Sequence, residues 1–312
     1  MPRLAATELD VFPLCLGGKV FGWTIEEEES FAVLDAYYAA GGNFIDTADT
    51  YGARGPDGPG ASERIIGRWI AARGNRERLV IATKVGMSPE SSGLSREAIR
   101  RGIEGSLGRL GLDRVDLYYA HQDDPSTPLE ETLGAFAELI DEGLIGHAAA
   151  SNYGAARLRE ALELGAREGL AAYVALQPHY NLMEREYEGE LRSLCEQAGL
   201  ACVPYYALAR GFLTGKYRRG GPEVESPRAD GVREHYLDER GFAVIEALDE
   251  IAATHATTVS AVALAWLLAQ PTVLAPIASA RTPVQLADLM PVVELRLSPE
   301  ELARLGDASA QP

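Results

Sequence analysis

The chain alternates between short apolar, often β-branched runs and longer runs in which apolar residues recur every three or four positions. The short runs are typical of buried strands, and the longer ones of helices that cover one face of a sheet. Strands are predicted over Asn43–Asp46, Leu79–Thr83, Val115–Tyr119, Ile145–Ala150, Val174–Gln177, Ala201–Tyr205 and Val273–Ile277. Helices are predicted over Glu27–Ala40, Ser62–Arg73, Ser95–Leu110, Pro128–Glu142, Gly154–Gly165, Arg185–Ala198 and Phe242–Ala269. This order indicates parallel strands joined by crossover helices.

One more strand, predicted near Gly17–Val20, brings the number of strands to eight. Eight β/α units in a chain of this length are typical of an α/β protein with a (β/α)8 TIM barrel, so residues 1–312 are expected to form a single domain. Leu9–Val11 and Leu14–Leu16 are interpreted as a short N-terminal β-hairpin below the barrel. A doubly wound sheet would place a GxGxxG turn after the first strand, and Gly17–Gly22 lacks that pattern.

Composition narrows the range of partners and compartments. The chain has 29 Lys and Arg against 46 Asp and Glu, a net charge of −17, which argues against nucleic acid as a partner. Its three cysteines include no CxxC pair, which favours a reducing cytoplasm over a disulfide framework. The first residues lack the pattern of a signal peptide, and no apolar stretch is long enough to span a membrane.

Polar residues stand at or just after the carboxyl end of nearly every predicted strand. They are Asp46, Lys84, His121, Ser151, Asn152, Gln177, Tyr205 and Ser279–Arg281, with Tyr51 five residues after the first of them. Barrel enzymes build their sites at this end of the strands, so these side chains are expected to meet at one mouth. Two Gly/Pro-rich or polar stretches, Ala53–Ala61 and Tyr206–Leu237, are predicted as loops over it.

Eight segments of the chain resemble aldo-keto reductases and occur in that family's order. They are Gly42–Gly52 (GNFIDTADTYG), Ser62–Gly67 (SERIIG), Ile81–Gly86 (IATKVG), Asp116–Leu133 (DLYYAHQDDPSTPLEETL), Gly143–Tyr153 (GLIGHAAASNY), Gln177–Arg185 (QPHYNLMER), Pro204–Tyr217 (PYYALARGFLTGKY) and Ile277–Leu286 (IASARTPVQL). The GFLTGKY segment is most similar to the bacterial and channel-β-subunit branches.

The resemblance implies a catalytic group of four residues. Tyr51 would be the general acid/base, Lys84 would tune it, Asp46 would hold Lys84, and His121 would orient the carbonyl. Hydride reduction of a carbonyl leaves an alkoxide that needs a proton, and a free tyrosine, with a pKa of about 10, is a usable acid. A nearby ammonium favours the phenolate and is expected to lower that pKa. The hydride itself belongs to a nicotinamide cofactor.

The resemblance also implies NADP(H) as that cofactor and assigns residues to each part of it. Ser151, Asn152 and Gln177 match positions at the carboxamide, Tyr205 matches the ring stacked on the nicotinamide, and Tyr206 follows it. Beside the pyrophosphate lie Leu208, Arg210, Gly211, Thr214 and Lys216; at the adenosine end lie Ser279, Arg281, Gln285 and Asp288. Arg281 is the candidate for a 2′-phosphate, because a guanidinium binds phosphate bidentately.

The expected activity is reduction of a small aldehyde or ketone to an alcohol, or the reverse reaction. Candidate substrate residues near strand ends are Phe21, Trp23, Met87, Gln122 and Tyr153, and Tyr206 is a candidate here as well. One alternative is a sugar or glycoside oxidoreductase of the same family. Another is a nucleotide-sensing regulatory subunit with little turnover. No metal site is expected, since the histidines lack metal-ligand spacing, and the oligomeric state is left open.

Overall fold

The structure, a computed structural model, describes residues 1–310 and contains eight parallel strands in one sheet. The strands are β1 (Cys15–Gly17), β2 (Phe44–Asp46), β3 (Val80–Val85), β4 (Val115–Ala120), β5 (Ile145–Ser151), β6 (Tyr173–Gln177), β7 (Ala201–Cys202) and β8 (Ile277–Ala278). Their order in the sheet is β7-β6-β5-β4-β3-β2-β1-β8, and every pair is parallel. The prediction of an α/β fold with eight parallel strands is confirmed.

The two edges of the sheet are joined by backbone hydrogen bonds. The N–H of Cys202 donates to the carbonyl of Thr272 at 2.9 Å, and the N–H of Leu274 donates back to the carbonyl of Cys202 at 2.9 Å. Nearer β8, the N–H of Ile277 donates to the carbonyl of Pro204 at 2.9 Å. These contacts curl the sheet round toward closure, which is consistent with a TIM barrel.

Helices follow the strands and cover the outside of the sheet. They are α1 (Glu27–Ala39), α2 (Ala61–Arg73), α3 (Arg96–Leu110), α4 (Leu129–Asp141), α5 (Ala155–Glu168), α6 (Glu190–Ala198), α7 (Ala229–His235), α8 (Glu239–Thr254), α9 (Val259–Leu268), α10 (Pro283–Ala287) and α11 (Pro299–Ala308). On α3, for example, Ile99, Ile103 and Leu110 are buried. Their spacing of three to four residues, or a multiple of it, places them on the face that packs against the strands.

Two apolar clusters fill the fold. A large one lies between sheet and helices and includes Trp69, Phe136 and Trp266. A smaller one, with Phe44 and Leu117 among its members, consists largely of strand residues that the large cluster does not contain. Side chains of a strand alternate between the two faces of a sheet, so the smaller cluster fills the inner face. The interior is therefore packed, and the open space is left to the loops at the ends of the strands.

The predicted N-terminal hairpin is not confirmed. Residues Cys15–Gly17, assigned to its second half and to the start of the first barrel strand, form β1 between β2 and β8. There Leu16 pairs with both Ile45 and Ala278, so the segment is paired with a strand on each side, whereas a hairpin would pair it on one side alone. The antiparallel bridge near the N-terminus joins Arg3 and Asp10 instead.

The long helix predicted over Phe242–Ala269 is two helices, α8 and α9. Ala256 between them has a left-handed backbone, with φ of 48°, and the Thr258 side chain caps α9 by accepting from the N–H of Ala261 at 3.1 Å. Both helices bury apolar residues, so the apolar pattern runs through the break and hides it. The segment predicted as one loop over Tyr206–Leu237 likewise contains α7.

No single helix within residues 1–310 is both long and apolar enough to cross a membrane. Only if α8 and α9 are counted as one segment are they long and apolar enough, and the two helices are bent by 97° relative to each other.

Candidate active site

A lysine at the end of β3 forms the centre of a buried polar group. The Nζ atom of Lys84 donates to Asp46 Oδ2 at 2.7 Å, to the carbonyl of Thr47 at 2.7 Å and to the hydroxyl of Tyr51 at 3.1 Å. These three bonds use all the protons of the ammonium group. Gln177 Nε2 donates to the other carboxylate oxygen, Asp46 Oδ1, at 2.9 Å. We call Asp46, Tyr51, Lys84 and Gln177 the cavity floor.

The register of the strands explains this meeting. Asp46 ends β2 and pairs with Ala82 of β3, and Lys84 lies two residues further along β3, on the same face as Ala82. Lys84 and Asp46 are fully buried. Burial acts to lower the pKa of Lys84, but the Asp46 carboxylate and the Tyr51 hydroxyl outweigh it and the pKa is raised. Lys84 therefore stays charged inside the protein.

The acidity of Tyr51 differs from the expectation based on sequence. Burial raises the pKa of Tyr51 to about 12, and the positive charge of Lys84 acts in the opposite direction without overcoming it. Lys84 therefore has the expected influence, but removal of the phenol from water has the larger effect, so the pKa of Tyr51 lies above that of a free tyrosine. Tyr51 is a neutral proton donor at neutral pH.

His121 lies next to Tyr51 after the end of β4. The two rings meet edge to face, with centroids 6.2 Å apart. Burial, with the positive charges of Lys84 and Lys19, holds the pKa of His121 well below its usual value, so the imidazole is neutral. Its Nδ1 atom is buried and has no hydrogen-bond partner among residues 1–310.

A cavity of about 930 Å³ opens above the cavity floor, comparable to sites that enclose small molecules. Asp46, Tyr51 and His121 line it. All fourteen residues predicted to bind a cofactor line it too: Ser151, Asn152, Gln177, Tyr205, Tyr206, Leu208, Arg210, Gly211, Thr214, Lys216, Ser279, Arg281, Gln285 and Asp288. The positions that the resemblance assigns to a cofactor therefore lie around a single cavity.

Hydrogen bonds hold the wall of this cavity near β5 and β6. The hydroxyl of Tyr205 donates to Asn152 Oδ1 at 2.8 Å, and Asn152 Nδ2 donates to the carbonyl of His121 at 2.8 Å. Ser151 Oγ donates to the carbonyl of Gln177 at 2.9 Å. Asn152 adopts a left-handed backbone, with φ of 57°, which an asparagine tolerates better than most residues. The wall is therefore fixed by the protein itself.

The loop after β7 carries unusual backbone geometry. Tyr206, Ala209 and Arg210 have φ values of 52°, 45° and 58°, and Gly211 follows at 95°. A left-handed residue other than glycine costs roughly 1–2 kcal/mol, and such residues cluster where a ligand is bound. Arg210 Nε is buried without a hydrogen-bond partner among the described residues, as expected of a side chain that completes its bonds with a ligand.

Five positive side chains surround the cavity and have no carboxylate oxygen within 4 Å in the part of the chain that the structure describes. We call them the rim cations: Lys19, Arg210, Lys216, Arg228 and Arg281. Burial lowers the pKa of Lys216, and the neighbouring Arg281 and Arg228 lower it further. In a protein of net charge −17, this is a local region suited to phosphate or another anion.

The predicted substrate residues divide into three groups. Met87 and Gln122 line the cavity. Phe21 and Tyr153 do not: Phe21 is fully buried in the apolar core, and the Tyr153 hydroxyl is 3.1 Å from that of Tyr173. Tyr153 packs edge to face against Tyr173 in the apolar core. Trp23 does not line the cavity, but the rim cation Arg228 stacks over its ring at 5.5 Å.

Two rim cations, Lys19 and Arg228, were not predicted from the sequence as site residues. Lys19 lies just after the end of β1, so the rule that polar residues after strand ends form the site applies to it. Lys19 was missed because the first strand was predicted over Gly17–Val20, which places Lys19 inside the strand. Arg228 lies far beyond β7 in an irregular stretch and carries no such signal. The chain contains only three lysines, Lys19, Lys84 and Lys216, and all three belong to the cavity floor or the rim.

Comparison with known proteins adds the family. The profile of the Aldo/keto reductase family matches residues 13–310. The uncharacterized oxidoreductase YrpG of Bacillus subtilis is 35% identical over 99% of this chain and 95% of its own length. Norsolorinic acid reductase stcV of Emericella nidulans is 33% identical over 95% of this chain and 78% of its own. A probable voltage-gated potassium channel subunit beta of Oryza sativa is 32% identical, over 97% and 94%.

The family profile covers nearly the whole chain, and the cavity carries the residues through which the sequence resembles that family. Proteins of this family are oxidoreductases that act on small carbonyl compounds and generally use NAD(P)H. The chain belongs to the aldo/keto reductase family.

Proposed function

We propose that the protein is an NADP(H)-dependent oxidoreductase that reduces an aldehyde or ketone to an alcohol, or catalyses the reverse, with Tyr51 as general acid/base. The observation that carries the proposal is the bridge made by Lys84, whose ammonium group contacts both Asp46 and Tyr51 in a cavity that His121 also lines. The proposal includes a (β/α)8 barrel over residues 1–312 as one domain, working in the cytoplasm. The three cysteines, all free and buried, support a reducing compartment.

The residues around the cavity fit a nicotinamide dinucleotide. The volume of the cavity suits an extended ligand. The rim cations and the unpartnered Arg210 Nε suit the phosphates of the dinucleotide. Asn152, Ser151 and Gln177 would bind the carboxamide, Tyr205 would support the nicotinamide, and Arg281 would bind a 2′-phosphate. When bound, the cofactor supplies the hydride.

The chain's own residues supply the proton. Tyr51 is protonated at neutral pH, since its pKa is about 12, and its hydroxyl can donate to the oxygen of a reduced carbonyl. Lys84, 3.1 Å away, stabilises the phenolate that remains. The carboxylate of Asp46, held by Lys84 and Gln177, keeps the ammonium group in place. In the reverse reaction, the same phenolate accepts the proton of the alcohol.

His121 orients the carbonyl. Because its pKa is held well below the usual value, it remains neutral and offers an N–H donor without a competing positive charge. Its ring lies against that of Tyr51, so both donors can reach one carbonyl oxygen.

The test is Tyr51→Phe, assayed by NADPH absorbance against a panel of aldehydes, ketones and sugars. Loss of the proton donor should lower turnover by about 10²–10⁴-fold, the usual contribution of general acid catalysis, with NADPH affinity within a few-fold. Tyr153→Phe is the matched control, because it removes a hydroxyl bonded to Tyr173 outside the cavity. It should keep its turnover. A Tyr51→Phe protein with most of its turnover would contradict the assignment.

A second candidate is a nucleotide-sensing regulatory subunit, favoured by the relative from Oryza sativa whose name describes a channel subunit. Such a protein would bind NADPH and reduce no member of the panel at a useful rate. Turnover of even one carbonyl that is lost in Tyr51→Phe separates the two functions.

A further inference from the structure

Lys19 occupies a special place among the rim cations. It follows β1 in a short turn, Gly18–Val20, and lines the cavity. Its Nζ atom is 5.7 Å from the centre of the Tyr51 ring and 5.4 Å from the centre of the Tyr206 ring. Lys19 therefore lies where the reacting end of a substrate would be.

The charge of Lys19 is not neutralised by the protein. No carboxylate oxygen lies within 4 Å of it in residues 1–310, and its one side-chain hydrogen bond, to the hydroxyl of Tyr206, is long at 3.4 Å. An ammonium group has three protons to donate, so at least two remain. Burial acts to raise the pKa of Tyr206, yet Lys19 and Arg228 outweigh it and the pKa is lowered, which shows that the charge is felt there.

The chain uses lysine sparingly. Of its 29 basic residues 26 are arginines, many of them paired with carboxylates across the surface. The three lysines adjoin the cavity. Lysine differs from arginine in being a compact charge with three rotatable donors on a flexible side chain.

Lys19 shares the ring of Tyr206 with Arg210 and Arg228, but among the rim cations it alone also lies over the ring of Tyr51. Lys216, Arg228 and Arg281 lie close enough for the last two to lower the pKa of the first, and Lys19 is not among the groups that do so. The groups on which Lys19 acts are His121 and Tyr206, and its ring contacts are Tyr51 and Tyr206. Its neighbours are thus those of the carbonyl.

We propose that Lys19 is a specificity-determining residue that favours carbonyl substrates bearing a carboxylate, which its ammonium group binds with the help of the Tyr206 hydroxyl. This deepens the proposed function and rests on it. The carboxylate would lie a few bonds from the carbonyl, because Nζ is within 6 Å of the Tyr51 ring.

The experiment compares kcat/KM for 3- and 4-carboxybenzaldehyde with kcat/KM for their methyl esters, which lack the charge. The ester is also the more electron-withdrawing group, so the change in the acid-to-ester ratio between variants is the quantity that reports on Lys19. The wild type should prefer the acids. In Lys19→Met the acid-to-ester ratio should fall by about tenfold or more, the low end for a charge-assisted contact, and Lys19→Arg should keep part of it. Arg54→Met is the matched control. Arg54 is an exposed cation over the Trp23 ring and does not line the cavity, so its removal should leave the ratio unchanged.

Two further measurements separate the outcomes. NADPH affinity, from quenching of tryptophan fluorescence, should change less than threefold in Lys19→Met; a loss of affinity with an unchanged ratio would assign the cation to the cofactor and overturn the proposal. Calorimetric binding of benzoate and benzamide to NADP⁺-saturated protein needs no turnover. Tighter binding of benzoate that Lys19→Met abolishes supports the proposal even if no aldehyde is reduced, in which case only the proposed function fails. Equal binding of the two by the wild type overturns it.

Discussion

The cavity floor and the rim cations lie around the same cavity but differ in whether their positive charges are paired within the protein. In the floor, the charge of Lys84 is matched by Asp46 at 2.7 Å, and both carboxylate oxygens of Asp46 have partners. At the rim, five cations have no carboxylate within 4 Å among the described residues. The floor is electrostatically complete without a ligand, so its geometry is set in advance. The rim becomes neutral only when an anion binds.

Because of this difference, substitutions in the two regions should affect different properties: folding stability in the cavity floor and ligand affinity at the rim. Taking Lys84 and Asp46 out of water is expensive, and removal of one partner leaves an uncompensated buried charge, at a cost of about 3–5 kcal/mol of stability. The rim cations are partly solvated, so their removal should change ligand binding more than folding. The rate of the chemical step should therefore depend little on salt concentration, while the affinity for an anionic ligand should fall as salt is added.

The largest effect is expected from breaking the floor with Lys84→Met. Turnover should fall by about 10²–10⁴-fold, the range for loss of effective acid/base catalysis. Without the positive charge that opposes the effect of burial, the pKa of Tyr51 should rise further, so the basic limb of the pH–rate profile should move upward. Steady-state kinetics across pH, with NADPH binding as a check on folding, measure both.

Asp46→Asn should act in the same direction as Lys84→Met, through a less firmly held ammonium group. If the pH–rate profile stays in place in both variants, something other than Lys84 sets the acidity of Tyr51.

An intermediate effect is expected from breaking the rim with Arg281→Ala. If Arg281 binds a 2′-phosphate, NADPH affinity should fall by about 10- to 150-fold, the equivalent of about 1.5–3 kcal/mol for a charge-assisted contact. NADH, which lacks the phosphate, should be affected much less. Added salt should weaken NADPH binding to the wild type more than to the variant. Tryptophan fluorescence quenching reports all four affinities.

The control for Arg281→Ala is Arg304→Ala, which removes the same charge from an exposed pair with Glu250. It should leave both cofactor affinities unchanged. Equal losses for NADH and NADPH in Arg281→Ala would show that Arg281 shapes the fold and binds no phosphate. A wild type that prefers NADH would overturn the NADP assignment itself.

The last prediction concerns stability and not activity, and it involves Asp49, a buried carboxyl outside both the cavity floor and the rim cations. Ser91 Oγ donates to Asp49 Oδ2 at 3.0 Å, but Oδ1 is buried without a partner in the described part of the chain. Burial and the nearby Glu63 raise its pKa to about 7 from 3.8. Between these two pH values the folded state binds more protons than the unfolded state, so the stabilising contribution is complete below pH 4 and is lost as pH rises to about 7.

Asp49→Asn should remove this pH dependence. The free energy of unfolding of the variant, measured with urea from pH 4 to 8, should increase relative to the wild type by up to about 1.4 kcal/mol per pH unit and level off above pH 7. Parallel curves for the two proteins would mean that Asp49 is ionised in the fold at an ordinary pKa.

Strand-end reasoning located the site because a parallel sheet brings the carboxyl ends of all its strands to one face. It succeeded for Asp46, Lys84 and Gln177, whose positions follow from strand order alone. It was wrong for Phe21 and Tyr153, because proximity to a strand end does not reveal which way a side chain points. The inward packing of Tyr153 is a tertiary arrangement, made with Tyr173 and the apolar core, which periodicity does not show.

Other features lay beyond local pattern for physical reasons. The pKa of Tyr51 depends on how much water the fold removes from it, a property of the packed structure and not of its neighbours in sequence. The break between α8 and α9 is hidden because apolar residues continue on both sides of it. Part of the barrel's first strand was mistaken for one arm of a hairpin, since two apolar runs near Pro13 fit either arrangement.

The scarcity of lysine has a practical consequence for handling this protein. Amine-directed reagents, such as N-hydroxysuccinimide esters or glutaraldehyde, find only Lys19 and Lys216 among its accessible side chains, because Lys84 is fully buried. Apart from coupling through the α-amino group of the exposed Met1, random amine coupling to a biosensor surface would therefore take place at the cavity and block it. The same property makes reductive ¹³C-methylation selective: the two accessible lysines would provide NMR resonances that report from the cavity mouth, against an outer surface whose cations are arginines and remain silent.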